Sequence, residues 1–127
     1  MPTPPPFEFS QNWVQAWNEH DVEAVLAHFD DKVVFSSPVA AQVVPESGGV
    51  LRGKAALRDY WRKGLAMIPD LRFVVEAVYA GLDVLVINYR NQKNNLVNEV
   101  LIFQDGLVVA GYGTYPDGEQ NPAGVRS

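Results

Sequence analysis

Apolar residues recur at helical spacing through the first half of this chain and gather into strand after strand in the second. Phe9, Trp13, Ala16, Trp17 and His20 form the stripe of an amphipathic helix, with Ser10 as its candidate N-cap. Asn18-Glu19-His20-Asp21 breaks that stripe, and Asp21 is placed to cap a second helix whose face is Val22, Val25, Leu26 and Phe29. Asp30-Asp31 ends the pair, and Val33-Val34-Phe35-Ser36-Ser37 reads as a strand stopped by Pro38. Residues 38 to 52, with Pro45 and Gly48-Gly49, read as a long loop that forms part of a pocket rim. After Gly53, the repeat Leu57, Tyr60, Trp61, Leu65 and Ile68 predicts a further helix, terminated by Pro69-Asp70. Strands are predicted over roughly 71–79, 83–90, 96–103 and 107–115, and the short turns between them imply antiparallel hairpins. Helices first and strands afterwards in one domain predict an α+β fold, with helices packed on one face of a curved antiparallel sheet.

Composition narrows the partners. A length of 127 residues fits a single domain, expected over 9–117, between a flexible Pro-rich arm (1–8) and a flexible C-terminal tail (118–127). The formal charge of −5, with ten scattered basic residues, argues against a nucleic-acid partner, whose phosphates demand clustered Lys and Arg. Zero Cys excludes disulfides, thiolate chemistry and Cys-ligated zinc. The N-terminus has no basic start and no apolar h-region, and no stretch reaches membrane-spanning length, so a cytoplasmic protein is the expectation.

Glu99 interrupts this pattern most sharply. It lies in Leu96-Val97-Asn98-Glu99-Val100-Leu101-Ile102-Phe103, otherwise a strand apolar on both faces. Removing an ionised carboxylate from water is costly, so such a group is paired, protonated or turned into a wet cavity. The last two describe a ligand pocket, whereas the first describes a structural ion pair with a nearby Arg. If Gln104-Asp105-Gly106 forms a three-residue hairpin, Phe103 pairs with Leu107 and Glu99 faces Gly111, with Gly113 and Tyr115 on the same face and space left beside the carboxylate. A two-residue Asp-Gly turn moves the register by one and exchanges Tyr115 for Tyr112 and Thr114.

Three other patterns carry less. Gly48-x4-Gly53-Lys54 matches most of a phosphate-binding loop, but Ala55 stands where the magnesium-binding hydroxyl belongs. His20, His28, Asp30 and Asp31 lack an established ligand spacing, so no metal site is expected. Neither Ser36 nor Ser37 sits in a nucleophile elbow. Trp13, Trp17, Tyr60 and Trp61 are core residues first, yet their polar N–H and O–H groups also suit the walls of a cavity for a partly polar organic ligand.

Five segments in order carry a resemblance: Trp17-Asn18-Glu19-His20-Asp21, Phe29-Asp30-Asp31-Lys32-Val33, Gly53-Lys54-Ala55-Ala56-Leu57-Arg58-Asp59-Tyr60, Pro69-Asp70-Leu71-Arg72-Phe73 and Phe103-Gln104-Asp105-Gly106-Leu107-Val108. From about Phe9 to Asp117 the chain resembles the SnoaL-like branch of the nuclear transport factor 2-like superfamily, which has a cystatin-like α+β architecture. The resemblance implies a cone-shaped barrel, with the N-terminal helices in the concave face of a curved, mainly antiparallel sheet. It also implies an apolar pocket at the wide end and a homodimer through the outer sheet face. Val84, Leu85, Val86 and Ile87 place apolar groups on both faces of one strand, and the outer set needs such a cover.

The superfamily's activities can be tested against this sequence. Ketosteroid isomerase combines a base, a phenol and a protonated acid in one apolar pocket. Matching this chain to it puts the acid on Glu99, the phenol on Trp13 and the base on Ser37, so only the acid is retained. Limonene-type epoxide hydrolases use Arg-x-Asp, but here Arg90 precedes Asn91 and Gln92. Polyketide cyclases of the SnoaL type need a single pocket acid acting on a folded substrate, a role Glu99 can fill. The expected site is therefore Glu99 as general acid or base, with Trp13, Trp17, Tyr60, Tyr115 and Arg90 around a hydrophobic, oxygenated ligand and with no cofactor. The alternative is a non-catalytic ligand-binding or dimerisation module of the same fold.

Overall fold

The computed structural model describes residues 3–126. Helix α1 (Pro6–Asn18) starts ahead of Ser10, because a proline at the first helical position sacrifices no hydrogen bond and its φ is already helical. Ser10 is thus interior to the helix, and its hydroxyl donates to the Phe7 carbonyl at 2.7 Å instead of capping. Residues 6–8 of the expected arm are its first turn, while Met1 and Pro2 lie outside the described residues. Asp21 does cap α2 (Val22–Leu26), accepting from the Ala24 N–H at 3.0 Å.

Strand β1 (Phe29–Ser36) takes in Asp30 and Asp31 and ends ahead of Pro38. The stretch 38–52 is not an open loop. It forms α3 (Pro38–Val43), a 3₁₀ turn (Pro45–Ser47) and β2 (Val50–Arg52). Pro38 opens α3, and the Ser37 hydroxyl accepts from the Val39 N–H at 3.1 Å. Six residues make fewer than two helical turns, too few to show a period. Helix α4 (Lys54–Met67) and the strands β3 (Val74–Gly81), β4 (Val84–Arg90), β5 (Leu96–Gln104) and β6 (Leu107–Thr114) lie where the pattern predicts, within a few residues.

The six strands form one curved, unclosed sheet in the order β2-β1-β6-β5-β4-β3. Every neighbouring pair is antiparallel except β1 and β6, so the sheet is mainly antiparallel and the fold α+β, as expected. Its concave face carries Leu85, Ile87, Val97, Leu101 and Phe103, all buried beneath α1 and α4. Aromatic edges join the layers: Phe9 meets Phe103 at 5.2 Å between centroids, and Trp61 of α4 meets Phe29 of β1 at the same separation.

The β5–β6 register departs from both readings of the sequence. Asp105 and Gly106 each have positive φ and make a two-residue turn with Gln104 opposite Leu107. Between the pairs Phe103–Val108 and Ile102–Ala110 one extra residue, Val109, bulges out of β6. The turn shifts the register by one and the bulge by one more. Glu99 therefore pairs with Gly113 rather than Gly111, and the face carrying Gly111 and Gly113 is preserved.

The expected flexible tail is tied down. Asn91 Nδ2 donates to the Pro122 carbonyl at 2.8 Å, Gln92 Nε2 to the Ala123 carbonyl at 2.6 Å, and the Arg126 N–H to the Met67 carbonyl at 2.9 Å. The side chains of the β4–β5 turn supply the partners that a polar C-terminal segment needs, and Ala123 is buried beneath them. Ser127 lies outside the described residues.

Candidate functional site

Along β5, alternate residues point inward, and Val97, Glu99, Leu101 and Phe103 are all buried. Glu99 is only 8% exposed, so its carboxyl group faces the concave interior. Its hydrogen-bond partner is not a guanidinium but a phenol: Tyr89 Oη donates to Glu99 Oε1 at 3.2 Å. Tyr89 lies on β4 opposite Val97, one diagonal step from Glu99 on the same face. Burial pushes the Glu99 carboxyl up to about 8, and the Tyr89 hydrogen bond, which favours the charged form, offsets part of that rise. The group is consequently a neutral acid at pH 7 that loses its proton within reach of physiological pH.

Around it stand groups that remain protonated. Burial raises the Tyr60 phenol, with Ser37 opposing as a hydrogen-bond partner, and the Tyr89 and Tyr115 phenols are raised well above their ordinary value for the same leading reason. Tyr60, Tyr115 and Ser37 all line the cavity beside Glu99. Ser37 reaches this position because β6 has no side chain at Gly113, where a β-carbon would lie 3.0 Å from Ser37 Oγ. Gly111 is likewise filled by Phe35, whose ring would lie 2.7 Å from an added β-carbon. The two glycines thus admit neighbouring side chains, and the open space expected beside the carboxylate is occupied by Phe35 and Ser37.

What remains is a cavity of about 70 Å³ bounded by α1, α4, the concave face of the sheet and the C-terminal segment. This is room for several waters, and well below the roughly 300 Å³ at which pockets for drug-sized ligands begin. Trp13, Trp17, Tyr60 and Tyr115 line it together with Glu99. Trp13 packs on Tyr89 at 5.4 Å, and Trp17 on Trp61 at 4.9 Å. Arg90 does not line it. Following inward Tyr89, it points to the other side of the sheet, pairs with Glu76 at 2.8 Å and donates to the Asn94 carbonyl. Strand alternation decides this, since one step along β4 reverses the side chain. Among the described residues, no three His, Cys, Asp or Glu side chains gather closely enough to hold a metal ion.

Sequence reasoning missed Tyr89, Phe73, Gln92 and Ala123 as lining residues. The signal for Tyr89 is present in the chain: pairing 83–90 with 96–103 through a five-residue turn puts Tyr89 on the Glu99 face. Ala123 and Gln92 have no such signal, because only the docked C-terminal segment brings them to the cavity.

Comparison with known proteins agrees with this architecture. The profile of a SnoaL-like domain matches residues 10–111. A SnoaL-like protein of unknown function from Burkholderia thailandensis, solved by crystallography, is 43% identical, with 87% of this chain and 92% of that one covered and a TM-score of 0.81. An NTF2-like protein of unknown function from Burkholderia pseudomallei shares the fold at 16% identity and a TM-score of 0.71, over 87% of this chain and 89% of its own. TerC, co-crystallised with polyporic acid, shares it at 13% identity and a TM-score of 0.72, over 87% and 90%. No curated protein matches the chain. Among the described residues, no helix is long and apolar enough to cross a membrane.

Proposed function

Because this chain belongs to the SnoaL-like domain family, within the nuclear transport factor 2-like superfamily, we propose that it binds a small, hydrophobic, oxygenated metabolite and acts on it with Glu99 as general acid or base. One observation carries the reading: a buried carboxyl group, hydrogen-bonded by a phenol, at the wall of an aromatic cavity. A carboxyl whose proton leaves near pH 8 can donate to a ligand carbonyl oxygen and, once ionised, take up a proton from carbon. Tyr89 holds the carboxyl in place and stabilises its anion. Isomerisation, intramolecular aldol closure and dehydration all need such a relay and no cofactor, with the aromatic walls holding the substrate in a reactive conformation.

A second reading is a non-catalytic binding module of the same fold, and the small cavity favours it. In either case the outer sheet face is proposed as a homodimer surface. Val84, Val86, Val100 and Ile102 are half-buried there beside exposed Tyr112. Sedimentation of V86D/V100D should then report a monomer, and an unchanged sedimentation coefficient argues against that surface.

The test of function is thermal shift against steroid-like and polyketide-like compounds, for the native chain and for Glu99→Gln. Binding together with turnover that is lost in Glu99→Gln, by the ~10²–10⁴-fold expected of a general acid or base, supports the enzyme. Stabilisation undiminished by the substitution, without turnover, leaves the binding module.

A further inference from the structure

The C-terminal segment closes the cavity with contacts unlike those of its other walls. Beyond β6 it runs exposed from Pro116 to Asn121, buries Pro122 and Ala123, and reaches the end of α4, where the Arg126 N–H donates to the Met67 carbonyl at 2.9 Å. The β4–β5 turn holds its middle. The Asn91 and Asn95 amides donate to the Pro122 carbonyl at 2.8 and 3.0 Å, Gln92 Nε2 to the Ala123 carbonyl at 2.6 Å, and Lys93 Nζ to the Asn121 carbonyl at 2.8 Å. Gln42 of α3 adds a bond to Asn121 Oδ1 at 3.1 Å. The Arg126–Asp70 ion pair at 3.4 Å is exposed on both sides and so contributes little.

The other walls are locked by rings. Phe73 lies 4.3 Å from Tyr89 and 5.9 Å from Trp13 between centroids, and Trp61 lies 4.9 Å from Trp17. Of the described residues 116–126, Ala123 alone lines the cavity, and partly buried Val125 packs against the core beside it. A wall attached by side-chain hydrogen bonds over little apolar area opens at a lower free energy than ring-packed walls, because water replaces those bonds as it lifts. Gly118, with φ +81°, provides a turn in the exposed stretch where the chain can swing. At about 70 Å³ the closed cavity has no room for a ring-sized guest, so one wall must move to admit it. We propose that residues 116–126 are a hinged strap that lifts from the cavity as a unit while the rest of the fold stays intact, and that this opening admits the ligand. Its purpose rests on the proposed pocket function, but the opening itself is measured without a ligand.

The chain has no Cys, so a single introduced thiol reports access without background. Ile68→Cys puts it at a buried residue of the cavity wall, and Val108→Cys puts it in buried core away from the cavity. Each full-length variant is treated with 4,4′-dithiodipyridine, a neutral aromatic disulfide, and the released thiopyridone is followed. The Ile68→Cys thiol should react at least about tenfold faster than the Val108→Cys thiol, which waits for global unfolding. Lys93→Ala/Asn95→Ala removes strap anchors that do not line the cavity. It should speed the reaction of Ile68→Cys by about tenfold and leave Val108→Cys within about twofold. In the unsubstituted chain, the Arg126 amide should show at least about tenfold less protection from hydrogen exchange than the Leu101 amide.

Equal reaction rates of the two thiols, or equal protection of the two amides, would overturn the strap, because the cavity would then open only with the whole fold. Acceleration of Ile68→Cys by Asn18→Ala, which frees Phe73, but not by Lys93→Ala/Asn95→Ala would also overturn it by assigning the opening to residues 71–73. Local opening of the strap in a chain that no compound of the ligand screen stabilises would uphold the hinge and remove its role in ligand entry, along with the pocket function.

Discussion

Tyr89 and Glu99, on adjacent antiparallel strands, meet at 3.2 Å on the concave face, the phenol donating to the carboxyl group. That bond holds the carboxyl down against the upward push of burial. Tyr89→Phe should therefore raise the Glu99 titration further, by about one unit, the worth of a single buried hydrogen bond. Carboxyl-resolved ¹³C NMR across the titration checks this, and a downward shift would contradict it.

Stability should follow the same group. Glu99 titrates at about 8 when folded and near 4.5 when unfolded, so between these values the folded chain binds the extra proton. Its contribution is fully present below about pH 4.5 and is lost as pH rises toward 8, at up to about 1.4 kcal/mol per pH unit. Glu99→Gln cannot ionise and should flatten that slope. Urea unfolding of both proteins between pH 5 and 8.5 measures the difference.

Gly111 lies where β6 must admit the Phe35 ring. An alanine there places a β-carbon 2.7 Å from that ring, and Gly111→Ala should cost about 1–3 kcal/mol. The smaller, flexible side chain of Phe35→Leu should recover part of the loss in the double variant. Additive losses in a double-mutant cycle would show that the ring is not what the glycine accommodates.

Asn91 connects the β4–β5 turn to the C-terminal segment. Its amide donates to the Pro122 carbonyl, while its oxygen accepts from the N–H groups of Lys93 and Asn95. Asn91→Ala should lower stability by roughly 2–3 kcal/mol, since it leaves several buried groups unpaired. It should also speed amide exchange in residues 118–126 ahead of the rest of the chain. Unchanged exchange in that segment would mean that Asn91 does not hold it.

How readily each site residue can be found in the chain depends on the range of the interactions that place it. Glu99 stands out because a carboxylate amid apolar strand residues conflicts with its nearest neighbours in the chain, and Trp13 and Trp17 because helical period alone places them inward. Tyr89 requires one hairpin register beyond that. The Val109 bulge is harder, since one extra residue in a strand changes no local pattern, yet it determines that Ser37 meets Gly113 beside Glu99.

Helices α1 and α4, the four C-terminal strands and the inward direction of Glu99 follow from the order of residues alone, because all of them rest on periods of two or about 3.6 residues. The filling of Gly111 and Gly113, the pairing of Arg90 with Glu76 and the docking of Ala123 over the cavity emerge only once the chain is folded. Each of these depends on residues distant in the chain meeting at hydrogen-bond or van der Waals range, and a period along the backbone carries no information about such meetings.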